Sequence, residues 1–145
     1  IFDFAARLCG GAIGKARELL SGGNEYEMYD SCKKIISLQA GKINGAKYFA
    51  FINVIAENSD TREKISMMLD YLFAAYVDIL KAKSCDEPLL SFFDGASALD
   101  FSEKFASGAL EASLDAVSKI RNGLVFNTNI SISSANLAKL LWAAV

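Results

Sequence analysis

The chain has 145 residues, 52% hydrophobic and 22% charged, with 15 Lys and Arg against 17 Asp and Glu for a net charge of −2. A chain of this length buries about 68–70% of the surface its unfolded form exposes, enough for one domain that needs neither metal nor disulfide. It contains no histidine, which excludes His-based triads, His general bases and His metal ligands, and its near-neutral charge offers no strong electrostatic footprint for nucleic acid or an anionic membrane.

Pro88 is the single proline, β-branched runs are scarce, and Ala, Leu, Lys and Glu are plentiful. That composition favours helix. Helices are expected at 1–9, 12–21, 25–40, 43–57, 60–83, 101–106, 108–124 and 131–144, with a turn over 89–93. Gly10-Gly11, Gly22-Gly23 and Gly41 stand where helix ends favour a residue free to take positive φ. Asp60 with Glu63, and Asp100 with Glu103, read as variants of the capping box, and Ser107-Gly108 as a break between two helices. On 60–83, Ile65, Met68, Leu69, Leu72, Tyr76, Ile79 and Leu80 share one face, while Met67, Tyr71 and Ala74 begin a second. A helix apolar over that much of its circumference is expected to be surrounded by others. The closing helix, with Leu137, Leu140, Leu141 and Ala144 at helical spacing, is expected to pack on it. The fold class is an all-α bundle of about seven to eight helices.

The longest wholly apolar run, residues 71–77, falls far short of the ~20 residues a membrane span needs. No secretory signal is visible. Cys9, Cys32 and Cys85 are odd in number and show no CxxC spacing, so they read as free, buried thiols in a reducing cytosol. Opening at Ile1 inside an apolar pattern, the chain reads as a fragment of a longer protein.

Candidate chemistry is thin. Gly10-Gly11-Ala12-Ile13-Gly14-Lys15 invites a phosphate-loop reading, but Cys9 stands where the first glycine belongs and Ala16 where the Mg²⁺-binding hydroxyl belongs. A helix–helix turn explains it better. Asp86-Glu87, Glu25 with Glu27 and Asp60 with Glu63 fall at helix ends or in polar loops, as solvated carboxylates do. Lys33-Lys34, Lys42, Lys47, Lys81 and Lys83 are spread over three helices and mixed with acids, which suits a solvated face better than a phosphate stripe. No cysteine has a visible base partner to activate it. Trp142, Phe101, Phe105 and Phe126 read as core aromatics. The pair Phe92-Phe93, outside any expected helix, either caps the bundle or anchors a partner.

Four segments, in order, carry a family resemblance. Ala5-Ala6-Arg7-Leu8-Cys9-Gly10-Gly11-Ala12-Ile13-Gly14-Lys15-Ala16-Arg17-Glu18-Leu19-Leu20 resembles the sensor-2 helix that closes the AAA+ lid in the delta-prime subunits of bacterial DNA polymerase III clamp loaders. Met68-Leu69-Asp70-Tyr71-Leu72 through Tyr76-Val77-Asp78-Ile79-Leu80 is similar to that family's long collar helix, followed by an acidic connection ending near Phe92-Phe93-Asp94. Leu124-Val125-Phe126-Asn127-Thr128-Asn129 before Leu137-Ala138-Lys139-Leu140-Leu141 resembles the family's closing turn and leucine-rich helix.

The resemblance implies a lid end over 1–23 and a helical collar, or oligomerisation domain, over 24–145, with the nucleotide-binding core upstream. It implies no catalytic residue, cofactor or metal in this part, and cytoplasmic partners, the ATPase-type and delta subunits, with DNA reached only through the assembly. Gly14 occupies the position where ATP-hydrolysing subunits carry the sensor-2 arginine, which favours the non-hydrolysing delta-prime type. Candidate partner contacts are Phe92, Phe93 and Trp142. Two other readings stand beside this one. They are the collar of the ATPase-type subunit, and an unrelated α-helical ligand-binding or regulatory domain with a sizeable pocket lined by the 60–83 helix.

Overall fold

The computed structural model describes residues 17, 24–41, 46–126 and 128–145. Among these the regular secondary structure is all α-helix, with six helices and no strand. They are α1 (Asn24–Ala40), α2 (Ala46–Glu57), α3 (Arg62–Ser84), α4 (Gly95–Lys104), α5 (Ser107–Val125) and α6 (Ile130–Ala143). The count is below the seven to eight expected, and the helices expected at 1–9 and 12–21 lie outside the described residues, as do the Gly10-Gly11 and Gly22-Gly23 breaks.

The 23-residue α3 is the axis of the bundle, with α1, α4 and α5 packed along it. Ile65, Met68, Leu69, Leu72, Ala75, Tyr76 and Ile79 are sealed from solvent, and Met67, Tyr71, Phe73, Ala74 and Leu80 pack partly buried around them. The closing helix departs from expectation. α6 packs chiefly on α2 and α5 and touches α3 at few positions. The reason is that α5 already covers that side of α3, so Leu137, Ala138 and Leu141 fill the seam between α2 and α5.

The caps also differ from the sequence reading. Thr61 caps α3, its hydroxyl accepting from Lys64 N at 3.2 Å, while Asp60 forms a 3.2 Å ion pair with Lys64. Asp60–Glu63 is therefore no capping box. Nor is Asp100–Glu103, because α4 begins at Gly95 rather than near 101, capped by Asp94 through a 2.7 Å bond from Ser97 N. Asp100 sits inside that helix and pairs with Lys104 at 3.0 Å. The break between α4 and α5 falls at Phe105 and Ala106, both extended, not at Ser107-Gly108. Gly41 closes α1 with its N–H on Ser37 O at 3.0 Å and no left-handed φ.

Candidate functional site

Two polar constructions lie inside the bundle, and sequence reasoning passed over both. The first is a hub. Gln39 of α1 is fully buried and donates from Nε2 to Ser113 Oγ of α5 at 3.0 Å and to Leu141 O of α6 at 2.8 Å. Its Oε1 accepts a short hydrogen bond from the Tyr76 hydroxyl of α3. One amide thus joins four helices. Desolvation by burial pushes the Tyr76 phenol well above its ordinary value, with nearby Cys32 adding to the rise and hydrogen bonds to Ser113 and Gln39 opposing it. Burial likewise raises the Cys32 thiol, whose Sγ contacts Met68 O at 3.7 Å.

The second is a carboxylate nest. Asp78, 1% exposed on α3, accepts from Ser91 N at 3.0 and 3.1 Å, Phe92 N at 2.6 Å and Phe93 N at 2.9 Å. Hydrogen bonds from three successive amides give the buried charge the compensation it requires. They also turn the 85–94 connection inward. The Phe92 ring lies tilted against Tyr29 at 4.6 Å and edge-to-face with Phe93 at 4.8 Å, Phe93 meets Phe101 at 5.2 Å, and the Tyr29 hydroxyl donates to Phe92 O at 3.3 Å. Phe92 and Phe93 therefore plug the core. Both rings, read from sequence as a cap or as partner contacts, are sealed from solvent in this fold. Trp142 is half-buried between α6 and α2, 5.2 Å from the Tyr48 ring and 5.1 Å from Phe51. Gly14 lies outside the described residues.

The remaining candidates are dispersed. Asp86 and Glu87 are exposed in the connection after α3, and Glu27 is exposed on α1. Lys33 lies 5.3 Å over the Tyr29 ring, while Lys47 and Lys81 donate to Gly41 O and Leu89 O, each at 3.2 Å. Cys85 is exposed, contrary to the expectation of buried thiols, because it is the extended C-cap of α3, past that helix's last buried residue, Ile79. Phe126 is 81% exposed rather than core, since it caps α5 beyond the last buried turn. Among the described residues no three His, Cys, Asp or Glu side chains gather as a metal would require. No described helix is long and apolar enough to cross a membrane.

The joint before α6 has a structural account of its own. Arg62 donates to Leu124 O at 3.2 Å and Thr128 O at 2.9 Å, tying the start of α3 to the α5–α6 turn. Asn129 caps α6 by accepting from Ser131 N and Ile132 N. The clefts open to solvent. A groove of about 290 Å³ runs between α2 and α6, past Ile52, Ala56, Ser131 and Ala135. Among the described residues, clefts reach α3 at its start, by Arg62, Glu63, Lys64 and Met67, and near its end at Ala82, while Leu69, Leu72, Ala75 and Tyr76 in its middle are sealed from solvent. No family model, curated protein or solved structure matches the chain.

Proposed function

We propose that this chain is a non-catalytic oligomerisation region, the lid end and helical collar of a bacterial DNA polymerase III delta-prime subunit, which helps assemble the complex that loads the sliding clamp for replication. What supports the reading is the place of the resembling segments. Those within the described residues fall on the joints of the bundle: the axial α3, the Phe92-Phe93 plug and the Arg62-clamped turn. The work of such a region is to hold helix faces in fixed relation so that neighbouring subunits pack on them. The parent assembly is then part of a polymerase holoenzyme, and this portion does no chemistry itself.

The ATPase-type collar is the nearest alternative, and Gly14 separates the two, because glycine has no side chain to reach a γ-phosphate. The ligand-binding alternative needs a pocket along α3, whose middle is sealed from solvent. The test is size-exclusion mixing of the full-length protein with the ATPase-type and delta subunits, with ATP titrated into this region by calorimetry. Co-elution without ATP binding is expected. Failure to co-elute overturns the loader assignment, and micromolar ATP binding overturns the argument from Gly14.

A further inference from the structure

Ala98 and Ser102, one turn apart, are the only residues that α4 buries, and its Leu99 is 56% exposed. Each of the other outer helices sinks at least two larger apolar side chains into the core, such as Ile35 and Ile36 of α1 or Phe51 and Ile55 of α2. Each of them also packs on two neighbours, whereas α4 packs chiefly on α3. The remaining apolar hold of α4 is the half-buried Phe101, whose ring leans on Phe93 at 5.2 Å and Phe105 at 6.5 Å. Its side-chain bonds are local: Asp94 accepts from Ser97 N, Lys104 donates to Asp100, and Ser102 donates to Leu99 O. A helix of ten residues is marginal without tertiary support. Gly95, in its first turn, weakens it further.

The chain on either side of α4 is held far more firmly. Before it, Phe92 and Phe93 are sealed in the core and their amides are bound by Asp78. After it, Phe105 is 1% exposed and meets the Tyr76 ring edge-on at 6.5 Å. Extended backbone at Phe105 and Ala106 separates α4 from α5, so one can unwind without the other. We propose that α4 is a strap, melting and re-forming locally between Phe93 and Phe105 while both anchors and the other five helices stay folded. Opening breaks neither the Gln39 hub nor the Asp78 nest, since their hydrogen bonds involve no residue of α4. It uncovers the seat of Ala98 and Ser102 on α3 and frees the Phe101 ring. Segments that move in lids and switches come from this low end of local stability. Among the described helices, α4 is the one that can trade its place on α3 for another contact while the bundle persists. The inference is independent of the loader assignment.

Amide exchange of the intact chain, read residue by residue by NMR in low concentrations of urea, tests it. After correction for intrinsic rates, the amides of residues 98–104 are expected to exchange at least about a hundredfold faster than those of Leu72, Ala75 and Tyr76. Their response to urea is expected to be weaker, because a local opening exposes less surface. The Phe92 and Phe93 amides are expected to follow α3. Two substitutions outside the core fix the direction. A Cβ added at Gly95 meets nothing within 4 Å, so Gly95→Ala is expected to slow exchange in α4 by about two- to fivefold. Asp94→Ala removes the cap and is expected to speed it by about fivefold, while Asp94→Asn keeps a capping oxygen and stays near the wild type. Exchange in α4 with the rate and urea response of α3 overturns the proposal. So does release of Phe92 and Phe93 together with α4, or indifference to both Gly95→Ala and Asp94→Ala.

Discussion

The carboxylate of Asp78 holds the backbone N–H of Phe92 at 2.6 Å, across 14 residues of chain and the whole α3–α4 connection. The same side chain accepts from Ser91 and Phe93, so one residue fixes the segment that carries the aromatic plug. Asp78→Ala leaves the buried Phe92 and Phe93 amides without their acceptor, and each unsatisfied group costs about 1–3 kcal/mol. We expect a loss of about 2–4 kcal/mol in urea unfolding. Faster amide exchange at residues 91–93 should accompany it. An unchanged midpoint with unchanged exchange refutes this role for Asp78.

Burial gives the hub a pH dependence of definite sign. The Tyr76 phenol and Cys32 thiol ordinarily titrate near 10.0 and 9.0, and in the fold both are raised. Above those values the unfolded chain releases protons that the folded chain retains. Stability is then fully present below about pH 9 and falls as pH rises, by up to about 1.4 kcal/mol per pH unit for each group. Tyr76→Phe leaves Gln39 Oε1 without its donor, at a cost of about 1–3 kcal/mol near neutrality, but removes one titrating group. Denaturant midpoints of the two proteins should therefore converge between pH 9 and 11. Parallel curves contradict the assignment.

The axial helix was legible because its apolar residues recur on more than one face, which only a surrounded helix satisfies. The hub and the nest were hidden for the opposite reason. Gln39 follows Ile35 and Ile36 at helical spacing, Ser113 follows Leu110, and Asp78 stands beside Ile79 on a stripe of buried residues. A polar residue on an apolar stripe is the signal that was available. Its partner is not, because Gln39 meets Leu141 across 102 residues and Ser113 across 74. The start of α4 was missed for a local reason, since Asp94 caps a helix whose first turn, Gly95-Ala96-Ser97, has little helical patterning. Phe92 and Phe93 left two readings open because burial there depends on the long-range pull of Asp78.

The seam filled by α6 separates buried leucines from a neighbouring exposed one. Leu137 and Leu141 are sealed between α2 and α5, whereas Leu140, on the same helix, is 37% exposed beside Ala112 and Ala116. Truncating a buried leucine removes its transfer energy and leaves a cavity, so Leu137→Ala and Leu141→Ala should each cost about 2–5 kcal/mol. That is a large share of the roughly 5–15 kcal/mol a domain possesses. Leu140→Ala should cost less than about 1.5 kcal/mol, because water already reaches much of the side chain. A chain ending at Ser134 loses both buried leucines and the Leu141 carbonyl that Gln39 holds, and should not unfold cooperatively near the full-length melting temperature. Thermal melts of the three point variants and the truncation provide the measurement. Equal losses at Leu140 and Leu141, or a truncation that melts like the intact chain, show that α6 is peripheral to the core.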